Sequence, residues 1–322
     1  MNPPARALSG AAFALLLLVG FMMGANHVSA RIAFNHGVDV ATAVLVRSVV
    51  TSLVVSAIVV AQGVRIQASA RQKWVIGAIG LLIGLQSLLL YSSVARLPVA
   101  LALLAFNTYP LTAAFWAWLL FRQRPERALV IAMPVILGGL ALALDAFGAA
   151  SGLGASGQWA RIGAGVAFAL GAAAVFGLAL ALTQHEVASV DGRVRTAATL
   201  GLAGAVALVV IATQGGPQLP QDGVGWAGLA GLTFLYGTAF TILFTVLPRM
   251  GTVGNSAIMN VEPVFALVLA WLLLDQAVAP MQVAGALIVV GTVVALGMRK
   301  AAPAPARAVD PSPGDGKQDL SR

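Results

Sequence analysis

The sequence has no cysteine and little charge: 9% of its 322 residues are Asp, Glu, Lys or Arg, against about a quarter in an ordinary soluble domain. Lacking cysteine excludes disulfides, thiolate nucleophiles and cysteine-ligated metals together. Lysine occurs only at 73, 300 and 317. No lysine therefore completes a phosphate-cradling Gly-x-x-x-x-Gly-Lys loop, and ATP-driven pumping by this chain is excluded. Neither a His-Glu-x-x-His metal motif nor a Gly-x-Ser-x-Gly nucleophile elbow is present, so no enzyme, metal or cofactor is expected. His27 and His36 are expected in an outer loop and His185 in an inner one, all as ordinary loop residues.

Hydrophobic residues are abundant, at 59%, and the mean hydropathy is +0.92, which excludes a water-soluble globular protein. Apolar segments run over 8–26, 40–61, 74–95, 97–121, 128–147, 163–183, 196–213, 225–247, 252–274 and 281–298. A crossing needs roughly 20 apolar residues. Continuous runs exclude the alternating strands of a β-barrel, so helices must satisfy the backbone inside lipid. The stretch from Leu8 to Ala25 resembles a secretory signal, but further spans follow at short intervals and it reads as the first membrane helix. Only Arg96, Leu97 and Pro98 separate the third and fourth spans, which predicts a tight turn.

The net charge of +8 marks no nucleic-acid surface, because the basic residues form no stripe. They lie between the spans. Arg6, Arg65, Arg71, Lys73, Arg122, Arg124, Arg127, Arg193, Arg195, Arg249, Arg299, Lys300, Arg307, Lys317 and Arg322 fall on one side. Arg31, Arg96 and Arg161 fall on the other, with Arg47 inside the second span. This asymmetry predicts both termini in the cytoplasm. The Pro-, Gly- and Asp-containing tail, 299–322, is too polar to bury a core and is expected to be disordered and cytoplasmic.

An internal repeat appears at an offset of 153 residues: Asn107 aligns with Asn260, Pro110 with Pro263, Ala117-Trp118-Leu119-Leu120 with Ala270-Trp271-Leu272-Leu273, and Gln123 with Gln276. Each copy holds five crossings. An odd number forces the copies to enter the membrane in opposite directions, as in many secondary transporters. The expected fold is an all-α integral membrane protein of ten transmembrane helices, arranged as two inverted five-helix repeats, 8–147 and 161–298.

These residues resemble the drug/metabolite transporter superfamily in its EamA-type, ten-helix branch. The resemblance rests on Gly24-Ala25-Asn26, Arg47, Asn260-Val261-Glu262-Pro263-Val264, Ala270-Trp271-Leu272-Leu273-Leu274-Asp275, Gln282, Gly285 and Gly291. Met23 stands where the family usually has Trp, and Asp275 where it usually has Glu. The resemblance implies transport, often export, of amino acids, amines or drugs.

Two formally charged side chains lie deep in the predicted hydrocarbon, Arg47 and Glu262, each costing about 2.5 to 3.5 kcal/mol at a helix centre on insertion scales. Glu262 lies about ten residues into the ninth span, beside the carbonyl that Pro263 frees at Met259. Two roles stay open for it: trading a proton against a cationic substrate, or hydrogen-bonding across the bundle as helix glue. For Arg47 an ion pair with Glu262 is the preferred reading, and contact with a substrate carboxylate or phosphate the alternative. Tyr109 and Glu262 precede the two related prolines and can face one cavity; the alternative is that Pro110 and Pro263 merely kink helices while Asn107 and Asn260 repair the backbone. Asn26 completes the candidate site. Gln86, Tyr91 and Tyr236 are weaker cavity candidates, and Trp118 and Trp271 read as interfacial anchors.

The function expected is secondary active export of a small metabolite across a bacterial inner membrane, by alternating access and with a proton as the coupling ion. Membrane lipid and the small-molecule substrate are the partners; ATP and nucleic acid are not. The alternative is a membrane scaffold that keeps a transporter fold without transport.

Overall fold

The computed structural model describes residues 10–243, 261–276 and 279–298, with side chains from Phe13 to Leu296 within them. Asn260, Arg249 and the tail 299–322 lie outside the described residues. The helices are α1 (Gly10–Asn35), α2 (Val40–Ala61), α3 (Ala70–Val94), α4 (Val99–Phe106), α5 (Tyr109–Phe121), α6 (Arg127–Ala143), α7 (Gly154–Glu186), α8 (Gly192–Thr213), α9 (Gly223–Thr241), α10 (Glu262–Leu274) and α11 (Pro280–Met298). Together α4 and α5 make one broken span, so the helices account for ten crossings. Among the described residues six stretches, including Val99–Phe121, are long and apolar enough to cross a bilayer, and 127–143, 262–274 and 280–296 are shorter apolar helices.

Polar caps mark where helices begin. Asp39 accepts from the amides of Ala41 and Thr42 ahead of α2, and Ser69 forms a reciprocal capping box with Gln72 ahead of α3. Asp191 and Asp222 cap α8 and α9 through the amides of Arg193 and Gly225.

The repeat is visible in the backbone. Arg122 ends α5 with φ 55° and Asp275 ends α10 with φ 53°, both left-handed. One residue on, Gln123 and Gln276 each donate an amide to the carbonyls of Ala117 and Ala270, at 3.2 Å. Packing follows the same offset: α1 lies against α9 and α10, its counterpart α7 against α3 and α5, while α2 pairs with α8 and α6 with α11. Each repeat thus lends its first helix to the other, as two inverted copies around a two-fold axis require.

Small residues permit this interlocking, because lipid gives helices no hydrophobic reason to associate. A Cβ on Gly24 would come 2.9 Å from the Glu262 carbonyl oxygen and 3.0 Å from the Ala266 nitrogen. Gly177, at the equivalent position, faces Thr112 and Ala113 of α5 as closely. Thr112 and Trp116 reinforce that contact by donating to the carbonyls of Ala173 and Ala174 on α7.

Two sequence expectations need correction. The first helix runs to Asn35 rather than ending at residue 26; Asn26 and His27 are polar because they bond across the bundle, not because they meet water. His27 is therefore buried inside α1, and His185 sits in the last turn of α7, stacked on Phe121 at 4.1 Å and 2.8 Å from Gln123 Oε1. Pro110 follows the break between α4 and α5: it lies in the first turn of α5, where its missing N–H has no intrahelical acceptor to lose. Pro263 occupies the same place in α10.

The tight turn between α3 and α4 is held from α1, where Arg31 Nη1 donates to the carbonyls of Val94 at 2.6 Å and Leu97 at 3.3 Å. On the same side His36 lies 2.7 Å from Asp222, and the Gln221 amide donates to the His36 carbonyl. The Gly225 amide, then His36, hold the Asp222 carboxyl below the usual aspartate range. A depressed acid stabilises the fold above its unfolded pKa and loses that contribution as pH falls through the folded one. Protection of the Gly225 amide against hydrogen exchange, relative to its intrinsic rate, should therefore drop below about pH 4. In Asp222→Ala that acid dependence should vanish; an unchanged profile would show that the cap is not what holds the turn.

Candidate functional site

Polar side chains gather where α1, α2, α3, α9 and α10 meet. His27 Nε2 lies 3.2 Å from Glu262 Oε1, with side-chain exposures of 4% and 22%. The His27 ring packs edge-on against Tyr91, with centroids 5.6 Å apart. The Tyr91 hydroxyl donates to Asn26 Oδ1 at 2.9 Å and accepts from Arg47 Nη1 at 2.9 Å. Arg47 Nη2 donates to Ser87 Oγ at 2.8 Å, completing a chain from α10 through α1 and α3 to α2.

Arg47 is 3% exposed. Its guanidinium carbon sits 4.4 Å from the Tyr91 ring centroid and 4.1 Å from that of Tyr236, so it is held between two phenol faces. Such cation–π contacts are worth about 2 kcal/mol each when desolvated. The expected Arg47–Glu262 ion pair does not form. Among the described residues the basic side chain within 4 Å of Glu262 is His27, and Arg47 is held by hydroxyls and rings instead.

The proline-linked residues lie apart from that chain. Asn107 ends α4 and is buried, while Tyr109 begins α5 and packs on Phe106 at 5.5 Å and Phe176 at 5.1 Å.

Sequence reasoning undervalued Tyr91 and Tyr236 and misplaced His27. A signal for His27 was present: it follows Asn26 directly and lies three residues beyond Gly24, inside an uninterrupted helical run. Among the described residues no group of three or more His, Asp or Glu side chains could hold a metal ion. Trp118 and Trp271 are 51% and 61% exposed, on the outer surface of the bundle.

A groove of about 630 Å³ runs between α2 and α9, lined by Val50, Thr51, Val54, Trp226, Phe234, Gly237 and neighbours. The equivalent seam between α8 and α3 is closed, with Gly80 and Gly84 nested under Leu202 and Val206. The two repeats thus differ in how far apart these helices stand.

Comparison with known proteins places these features. The profile of the EamA-like transporter family matches residues 10–144 and 163–298. A solved crystal structure of a protein 19% identical in sequence superposes with a TM-score of 0.59, covering 89% of this chain and 98% of its own; at that identity the likeness concerns the fold alone. No curated protein matches the chain significantly.

Proposed function

The chain belongs to the EamA-like transporter family, an integral membrane transporter with a small-molecule substrate, and on that premise we propose that it exports a small metabolite by proton-coupled alternating access. The inverted repeats supply the two exchangeable halves. The observation that carries the reading is the contact at 3.2 Å between buried His27 and half-buried Glu262, lying where α10 of one repeat meets α1 of the other. A carboxylate and an imidazole in contact can share, hold and release one proton, and both stand on helices whose relative position must change when access is exchanged. Tyr109 and Asn107, with Asn26 and Arg47, shape the surrounding site, and Asn260 joins them by the repeat.

The membrane is a bacterial inner membrane, with both termini cytoplasmic. Arg65, Arg71 and Lys73 before and within the start of α3, Arg122, Arg124 and Arg127 between α5 and α6, and Arg193 and Arg195 at the start of α8 support that orientation.

Purified protein in liposomes with an imposed proton gradient tests the coupling. Wild-type efflux should vary between about pH 5 and pH 8, the interval in which histidine changes charge. Glu262→Gln should flatten that dependence and uncouple efflux from the gradient. An unaltered pH profile in the variant would refute the coupling role and leave the transport reading standing.

A further inference from the structure

Arg47 is a buried charge with no carboxylate beside it: Glu262 faces His27 instead, and no carboxylate among the described residues lies within 4 Å of the Arg47 guanidinium. The faces of Tyr91 and Tyr236 offset a buried cation without neutralising it, and a full positive charge in a low dielectric calls for an anion. Nη1 and Nη2 are engaged by Tyr91 and Ser87, but Nε is buried and has no hydrogen-bond partner. The same holds for Asn26 Nδ2 and Ser48 Oγ. The Asn26 carbonyl oxygen is taken by the Tyr91 hydroxyl, so the open end of Asn26 is a donor. Arg47 Nε and Asn26 Nδ2 are both donors, and their residues meet at the Tyr91 hydroxyl; with the guanidinium charge they describe the complement of a small anion.

The size of that charge limits the class. A phosphate monoester brings about −1.5 to −2, which a single guanidinium does not balance. A carboxylate brings one negative charge and two planar oxygens, matching the fork geometry of arginine. We infer that Arg47, with Asn26 Nδ2, binds the carboxylate of the transported compound, so that this chain carries monocarboxylates, zwitterions included, in preference to amines that lack the group. The inference rests on the transport reading above. The α2–α9 groove approaches this place from the side: Thr51, one turn along α2 from Arg47, and Gly237, next to Tyr236, both line it.

The test uses liposomes holding the purified full-length protein and loaded with three matched series: the protein amino acids, the amines left by removing their carboxyl groups, and the carboxylic acids left by removing their amino groups. Mass spectrometry reads efflux. Members bearing a carboxylate should leave and the matching amines should not. Arg47→Gln should lower efflux of the carboxylates by about tenfold or more, the loss expected for one charge-assisted hydrogen bond. Arg47→Lys, which keeps the charge but not the fork, should retain the preference for carboxylates at reduced rate. Both variants are compared at matched amounts of monodisperse protein. Efflux of amines equal to that of acids, or carboxylate efflux indifferent to Arg47→Gln, overturns the inference while transport stands. No efflux in any series overturns the transport reading and this inference with it.

Discussion

Replacing His27 with Leu should cost the protein about 1–3 kcal/mol, the usual penalty for leaving a polar group without its hydrogen-bond partner. The loss should fall toward the lower end because the Glu262 side chain keeps 22% of its exposure. Glu262→Gln should cost less, since the amide still meets His27 Nε2 whereas a carboxylate beside Leu is left without that partner. The double variant, His27→Leu with Glu262→Gln, should recover most of what His27→Leu loses. Thermal unfolding of the four proteins in nanodiscs gives the coupling directly. Strictly additive losses would mean that the 3.2 Å contact contributes nothing to the fold.

Gly24→Leu should be worse tolerated than any substitution on the lipid-facing surface. The groups that crowd a Cβ at this position are the Glu262 carbonyl and the Ala266 amide, both backbone atoms of α10. No rotamer change relieves them, so α1 and α10 must part and His27 must leave Glu262. Even Gly24→Ala should cost roughly 1–3 kcal/mol, as overpacking does in a tight core, and Gly24→Leu should abolish the monodisperse peak in size-exclusion chromatography. Gly177→Leu should fail in the same way through the equivalent contact with α5. Gly77 provides the contrast: nothing lies within 4 Å of its notional Cβ, so Gly77→Ala should be neutral or stabilise α3 by up to about 1 kcal/mol. Normal folding of Gly24→Leu would show that the close approach of α1 and α10 is dispensable.

These two predictions depend on contacts that the sequence foreshadowed unevenly. Gly24 was legible as part of a motif, and Glu262 as a costly charge in an apolar run. Their meeting was not. The partner expected for Glu262 was Arg47, because two opposite charges deep in lipid have every reason to seek each other. In the fold Arg47 is enclosed by Tyr91, Tyr236 and Ser87, and a histidine read as a loop residue takes the carboxylate instead. The error over His27 came from treating polarity as a sign of water: a polar pair at a helix end and a polar pair bonded across a bundle look alike in one dimension.

By itself the sequence determined that the chain crosses the membrane, how many times, and that its halves repeat in opposite directions. Each of these follows from local or periodic quantities: hydrocarbon thickness sets the length of an apolar run, unsatisfied backbone groups force helices, and an odd number of crossings inverts a repeat. The tertiary structure alone decided which polar side chains meet. It interlocked α1 with α10 and α7 with α5, and left the α2–α9 seam open where the α3–α8 seam is shut. Pairing across helices depends on rotation about each axis and on how closely small residues let backbones approach, and neither is written in the hydropathy of a single span.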